Sequence, residues 1–276
     1  MTIQTLIVHD HNIETAKKVA LNINGELEAR KSHYRVHTKS NFEIENLRSH
    51  HSVDLNIFDQ GFDYDNIKLM VSDMDSTLIS IETIDEVARQ VGLSNEVSFI
   101  TEEAMQGQLD FSESFKKRLS ILKGVGTESF NEVYKNKMEL NPGASELVKF
   151  LKSIKIKTAL VSGGINFFAE KVSDVLGIDT YRANDVEIKN EALTGKVLGK
   201  VVDAKAKANY IEELCNYYRL SPKQVIAIGD GANDLEMMKV SGLSVAYHGK
   251  PILKKSCNIQ INFGGLDSLI DFFDKS

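Results

Sequence analysis

The chain has 276 residues, a formal net charge of -6, 42% hydrophobic and 26% charged residues. This balance excludes wholesale disorder, and the acidic surplus speaks against a general nucleic-acid binder. Two scattered cysteines, Cys215 and Cys257, exclude a disulfide framework or a Cys-rich zinc site, and no apolar run approaches the ~20 residues of a membrane span. With no basic, apolar leader at Met1, a cytoplasmic location without membrane attachment is expected.

Residues 1–65 are predicted to form a small α/β unit. Residues 5–8 read as a strand, and Ile13, Ala16, Val19, Ala20 and Ile23 recur at near-helical spacing. Further strands are expected at 33–37 and 53–58, followed by a polar, turn-rich linker at 59–66. Six of the seven histidines fall here: His9, His11, His33, His37, His50 and His51. Their spacing lacks the helical i, i+4 pairing of a metal site, so they are read as a solvated surface. No motif in this unit names a ligand. Regulation, amino-acid sensing and homodimer formation stand as alternatives for it.

The pattern changes in residues 66–276. Apolar strands are predicted at 67–71, 158–161 and 225–228, with helices at 146–153, 167–176 and 206–218. This alternation predicts a Rossmann-like parallel sheet with helices on both faces. Residues 78–140 are helix-rich and carry no strand signal, which predicts a helical cap inserted after the first core strand. Residues 184–202 read as a hairpin or flap around Asn190 to Gly195.

Three strands run into polar clusters: Ser72 to Thr77, Ser162 to Gly164, and Gly229 to Asp234. Ligands in an open α/β sheet bind beyond the carboxyl ends of the strands, so the clusters should converge. Carboxylates crowded at one edge repel unless a cation neutralises them, and a hard ion such as magnesium suits few oxygen ligands. Asp73 and Asp75, two residues apart, can point to one side of a tight loop, where one could attack an electrophile and the other handle a proton, although loops also carry such acids for solubility.

Read together, Asp73-Met74-Asp75-Ser76-Thr77, Ser162-Gly163-Gly164, Lys207 and Gly229-Asp230-Gly231-Ala232-Asn233-Asp234 resemble the haloacid dehalogenase superfamily. Ile81 to Glu86, Ala104-Met105 with Gly107, Leu109 to Phe111, Arg118-Leu119 and Leu122 to Gly124 resemble the phosphoserine phosphatases within it. The resemblance covers about residues 67–266. One departure is Lys116, where that family usually has arginine.

The resemblance implies magnesium-dependent hydrolysis of phosphoserine, the last step of serine biosynthesis. Asp73 is then the nucleophile and Asp75 the general acid and base. Magnesium is held by Asp73, Asp230 and the backbone carbonyl of Asp75. Ser162, Gly163 and Lys207 bind the phosphoryl group, and Asn233 reaches substrate or phosphate. Lys205 is a solvated neighbour. Asp234 supports Asp230 or the lysine, or else caps the following helix. Thr77 orients the loop or caps a helix. Glu82 is expected to meet an α-ammonium and Arg118 an α-carboxylate, under an apolar lid of Met105 and Phe111.

Overall fold

Alternating apolar residues build the first sheet. The computed structural model describes residues 3–105 and 108–274; the side chain of Met105, one of the two expected lid residues, lies outside the described part. β1 (Gln4–His9), α1 (Ile13–Asn22), β2 (Glu26–Ala29), β3 (Tyr34–Thr38), α2 (Ile44–His50) and β4 (Asp54–Phe58) follow one another. The strands form an antiparallel sheet in the order β2-β3-β1-β4. Along β1, Leu6 and Val8 pack with Val19 and Ile23 of the helical layer, whereas Ile7 turns to the larger core. The Asn12 side chain accepts from the Glu14 amide and starts α1.

Two expectations for this unit are corrected. Residues 59–66 are not a free linker: Tyr64 is buried and stacks on Phe58 at 4.8 Å, with Phe272 at 5.6 Å. Nor are all the histidines solvated. His9 and His33 are buried around Asp271, with contacts of 2.8 Å and 3.2 Å. Ser32 Oγ donates to the same carboxylate at 2.6 Å. Burial pushes the Asp271 carboxyl up, but hydrogen bonds from His33, His9 and Ser32 outweigh it and hold the group well below the usual carboxylate range.

The rest of the chain runs β5 (Leu69–Ser72), α3 (Thr83–Gln90), α4 (Ser94–Met105), α5 (Phe111–Ile121), α6 (Glu128–Asn136), α7 (Ala144–Ser153), β6 (Lys157–Ile165) and α8 (Asn166–Leu176). It continues with β7 (Thr180–Lys189), β8 (Ala192–Leu198), α9 (Ala204–Tyr218), β9 (Val225–Gly229), α10 (Leu235–Val240), β10 (Leu243–Tyr247), α11 (Pro251–Lys254) and β11 (Ile259–Ile261). The sheet order is β11-β10-β9-β5-β6-β7-β8, parallel except for the β7–β8 hairpin. Successive residues of the central strands enter different layers. Met70, Leu160 and Ile226 pack with Leu147 and Phe168 on one face; Leu69, Val71, Ala159 and Ala227 pack with Ile211 and Met237 on the other. Burial on both faces is what near-continuous apolar strands require.

Helices α3 to α6 form the cap. Its two ends meet in an antiparallel bridge between Ile79 and Leu140. The Asn141 side chain clamps that bridge, donating to the carbonyls of Thr77 at 2.9 Å and Ile79 at 3.1 Å. The β7–β8 hairpin holds the far side, with Gly124 N donating to Leu193 O and Leu193 N to Val125 O. β6 runs longer than predicted, so Ser162, Gly163 and Gly164 lie within the strand and not after it.

Candidate active site

β5 sits between β9 and β6, and the chain leaves it toward opposite edges of the sheet. That reversal opens a crevice at the strand ends. Asp73 follows β5 directly, with its amide donating to Ile228 O of β9 at 2.9 Å. Its carboxylate is buried. Oδ1 accepts from the Met74 amide at 2.7 Å, and Oδ2 lies 2.7 Å from Lys207 Nζ.

Lys207 reaches this point from the first turn of α9, whose start is capped by Asp203 accepting from the Ala206 amide. The ammonium has no exposure and bridges Asp73 and Asp234, the latter at 2.8 Å. Burial works against its charge, but Asp234 and Asp73 hold it protonated, above the usual lysine range. Lys205 is exposed. The other Asp234 oxygen accepts the amides of Asp230 and Gly231, each at 3.1 Å. Asp234 therefore folds the loop after β9 and pins the lysine; its side chain makes no cap for α10.

Asp73, Asp230 and Asp234 bring one carboxylate oxygen each within 4.8 Å of one another. Asp234 already accepts at both oxygens. Asp230 has no hydrogen-bond donor to its carboxylate among the described residues. Burial, then Asp234 and Glu82, push the Asp230 carboxyl up to about 7. A carboxyl with no hydrogen-bond donor beside Asp73, in an all-oxygen donor set, fits a hard divalent cation.

Asp75 stands outside that side-chain cluster. Its oxygens accept from Thr83, the first residue of α3: Oδ1 from the amide at 3.2 Å and Oδ2 from the hydroxyl at 3.3 Å. Burial, then Glu82, raise the Asp75 carboxyl well above its ordinary value; burial, then Asp234, do the same for Asp73. Asp75 also lies against the end of β6, since a Cβ on Gly164 would meet Asp75 Oδ2 at 2.6 Å. Ser162 Oγ accepts from the Gly164 amide at 2.8 Å.

Cap residues arrive from above. A Cβ on Gly163 would fall 2.3 Å from Phe111 Cζ, so Phe111 rests directly on the backbone of β6. Phe111 begins α5, which an Asp110–Glu113 capping box starts. On the same helix Arg118 is buried and faces Asp85 of α3, with NH1 3.5 Å from Oδ1. Glu82 is exposed at the head of α3 and accepts from Ser76 Oγ at 2.8 Å. Ser76 adopts a left-handed φ of 57°, an unusual conformation for a side-chain-bearing residue in a site loop.

Glu82 and Arg118 are thus on the cap but not paired with each other. Asn233 is half-buried on the Gly231 side of its own loop. Thr77 caps no helix. It sits in the turn after Asp75, its amide donating to Met74 O and its buried hydroxyl unpartnered. Lys116 is exposed. Thr83 and Asp85 carry no signal of their own in the sequence beyond falling within the Ile81 to Glu86 stretch.

A family model described as haloacid dehalogenase-like hydrolase matches residues 67–242. A curated phosphoserine phosphatase of Polaromonas sp. is 46% identical over 211 residues, covering 75% of this chain and 89% of that protein. A haloacid dehalogenase family hydrolase structure from Salmonella enterica serovar Typhi superposes with a TM-score of 0.91 at 27% identity, covering 100% of both chains. A substrate-bound phosphoserine phosphatase superposes with a TM-score of 0.70 at 38% identity, over 75% of this chain and 98% of that one.

Proposed function

The chain belongs to the haloacid dehalogenase-like hydrolases, in the branch of the phosphoserine phosphatases, and is a phosphatase; we propose that it hydrolyses O-phospho-L-serine through an aspartyl-phosphate, with magnesium, as the last step of serine biosynthesis. The observation that carries this reading is the meeting of Asp73, Lys207, Asp230 and the Ser162–Gly163 strand end beneath a cap bearing Glu82 and Arg118.

Lys207 and the Met74 amide hold the Asp73 carboxylate in one orientation, ready for in-line attack. An Asp73 oxygen attacks phosphorus while the bond to the serine oxygen breaks. Asp75 gives that oxygen its proton. A water then attacks phosphorus, Asp75 takes a proton from it, and the bond to Asp73 breaks. Asp75 needs a carboxyl that stays protonated for part of the cycle, which its burial beside Glu82 favours. Ser162, the Gly163 amide and Lys207 bind phosphoryl oxygens. Asp73, Asp230 and the Asp75 carbonyl would hold magnesium, which when bound neutralises the phosphoryl oxygens against the approaching carboxylate. Glu82 and Arg118 address the ammonium and carboxylate of the amino acid. Phe111 excludes water once the cap is down.

Phosphate release from phosphoserine by the purified protein, with magnesium and with EDTA, tests the activity. Glu82→Gln and Arg118→Ala test the substrate. Each should cost ~2–5 kcal/mol in kcat/KM for phosphoserine and far less for p-nitrophenyl phosphate, which lacks both groups. Equal losses on both would remove the phosphoserine assignment. We propose also that residues 1–65 form a separate regulatory or dimerising unit beside a 66–276 phosphatase domain.

A further inference from the structure

We propose that Asp85 is a positioning residue for substrate selectivity: it fixes the Arg118 guanidinium by charge while leaving its donors open to the α-carboxylate of the substrate. The proposal rests on Arg118 being the carboxylate fork. It concerns a residue to which the reading above gives no part.

Arg118 lies on α5, about two turns past Phe111, which touches the backbone at Gly163. Its side chain is 11% exposed. A guanidinium so far from water needs hydrogen-bond acceptors. Among the described residues its ion-pair partner is Asp85, and the contact of 3.5 Å is at the outer limit of a hydrogen bond. Arg118 Nε and Asp85 Oδ1 are both buried with no hydrogen-bond partner. Buried groups of this kind are usually satisfied, and a facing pair that is not marks a place kept for something else.

For Arg118 Nε, the group that would satisfy it is an acceptor. A planar fork with open N–H donors takes a carboxylate in a bidentate manner. Asp85 belongs to the first turn of α3, one turn after Glu82. The cap thus sets Asp85 of α3 against Arg118 of α5, with Glu82 at the N-cap of α3. A close, saturating salt bridge would consume the Arg118 donors. No acid at all would leave a buried cation free to swing. A carboxylate at 3.5 Å does neither.

Two substrates that differ only in the carboxylate test this: O-phospho-L-serine and O-phosphoethanolamine. Asp85→Asn keeps the shape and removes the charge. Its KM for phosphoserine should rise about tenfold with kcat nearly kept, the size of one lost charge-assisted bond. For phosphoethanolamine the loss should stay within about twofold. Asp85→Glu restores the charge and should recover part of the phosphoserine KM; its failure to do so would overturn the proposal. Equal losses on both substrates, or a falling melting temperature that explains them, would make Asp85 an ordinary cap residue. An Asn variant indistinguishable from the parent on phosphoserine would show that Arg118 needs no such support. If the parent enzyme fails to prefer phosphoserine over phosphoethanolamine, the carboxylate reading of Arg118 fails first, and Asp85 with it.

Discussion

Lys207 keeps its charge without any exposure only because two carboxylates face it. Taking one away leaves a buried cation half-compensated, so Asp234→Asn should lower unfolding free energy by about 3 kcal/mol in urea titrations. A variant as stable as the parent would mean that Asp73 alone suffices. Asp230 sets a pH dependence. Its carboxyl is raised to about 7 in the folded chain, against ~3.9 in an unfolded one. The fold therefore keeps the proton where the unfolded chain has lost it. For this group, stability of the metal-free protein falls as pH rises from about 4 to about 7 and then levels. A cation needs the ionised form. Magnesium should thus raise the melting temperature clearly at a pH of about 8 and little at about 5.5. Equal shifts at both would disconnect Asp230 from the ion.

At the level of elements, β6 and α5 meet through Phe111 and Gly163 with no room to spare. Gly163→Ala should lift the cap and lower kcat/KM about a hundredfold, the usual effect of an ångström of misplacement. Phe111→Ala added to it should restore part of that loss, and a purely additive pair would mean the two do not touch in the working enzyme. The central strands are legible in sequence because runs such as Val225 to Ile228 are apolar on both faces and end in polar clusters. β2 and α2 are not. Glu26–Ala29 and Ile44–His50 each hold two apolar residues, which is too few to show a period. Asp73, Asp75 and Lys207 stand out through their neighbours in the chain. The Arg118–Asp85 and Asp75–Thr83 contacts depend on where α3 docks, and no local pattern encodes that. Ser162 to Gly164 reads as a loop from its composition, yet β6 continues through it to Ile165, with its pairing to β7 broken by an irregularity between Val161 and Ile165.

Across the whole molecule, the first sheet is tied to the second by buried polar groups as well as by Phe58, Tyr64 and Phe272. His9 and Asp271 are 262 positions apart, which hides their pairing from any sequence pattern. Asp271→Asn removes the charge that both histidines face. It should cost about 3 kcal/mol and open residues 59–66 to limited proteolysis, while initial rates on phosphoserine hold. Resistance to protease in that variant would assign the docking to the aromatic contacts alone.

β4 of the first sheet lies beside β11, the edge strand of the second. Asn56 presents its side-chain amide to the backbone of Gln260, accepting at 2.9 Å and donating at 3.0 Å. Asp54 accepts from the amides of Asn262, Phe263 and Gly264. Two side chains therefore stand where a neighbouring strand would lie, and they cannot template another. Without residues 1–65, the Ile259–Ile261 border of a seven-stranded sheet would face water with its amides open and isoleucines beside them. Such a border invites a strand from any passing chain. The first unit then acts as a guard against self-association, and its loss should appear first as precipitation on the bench and only later, if at all, as lost chemistry.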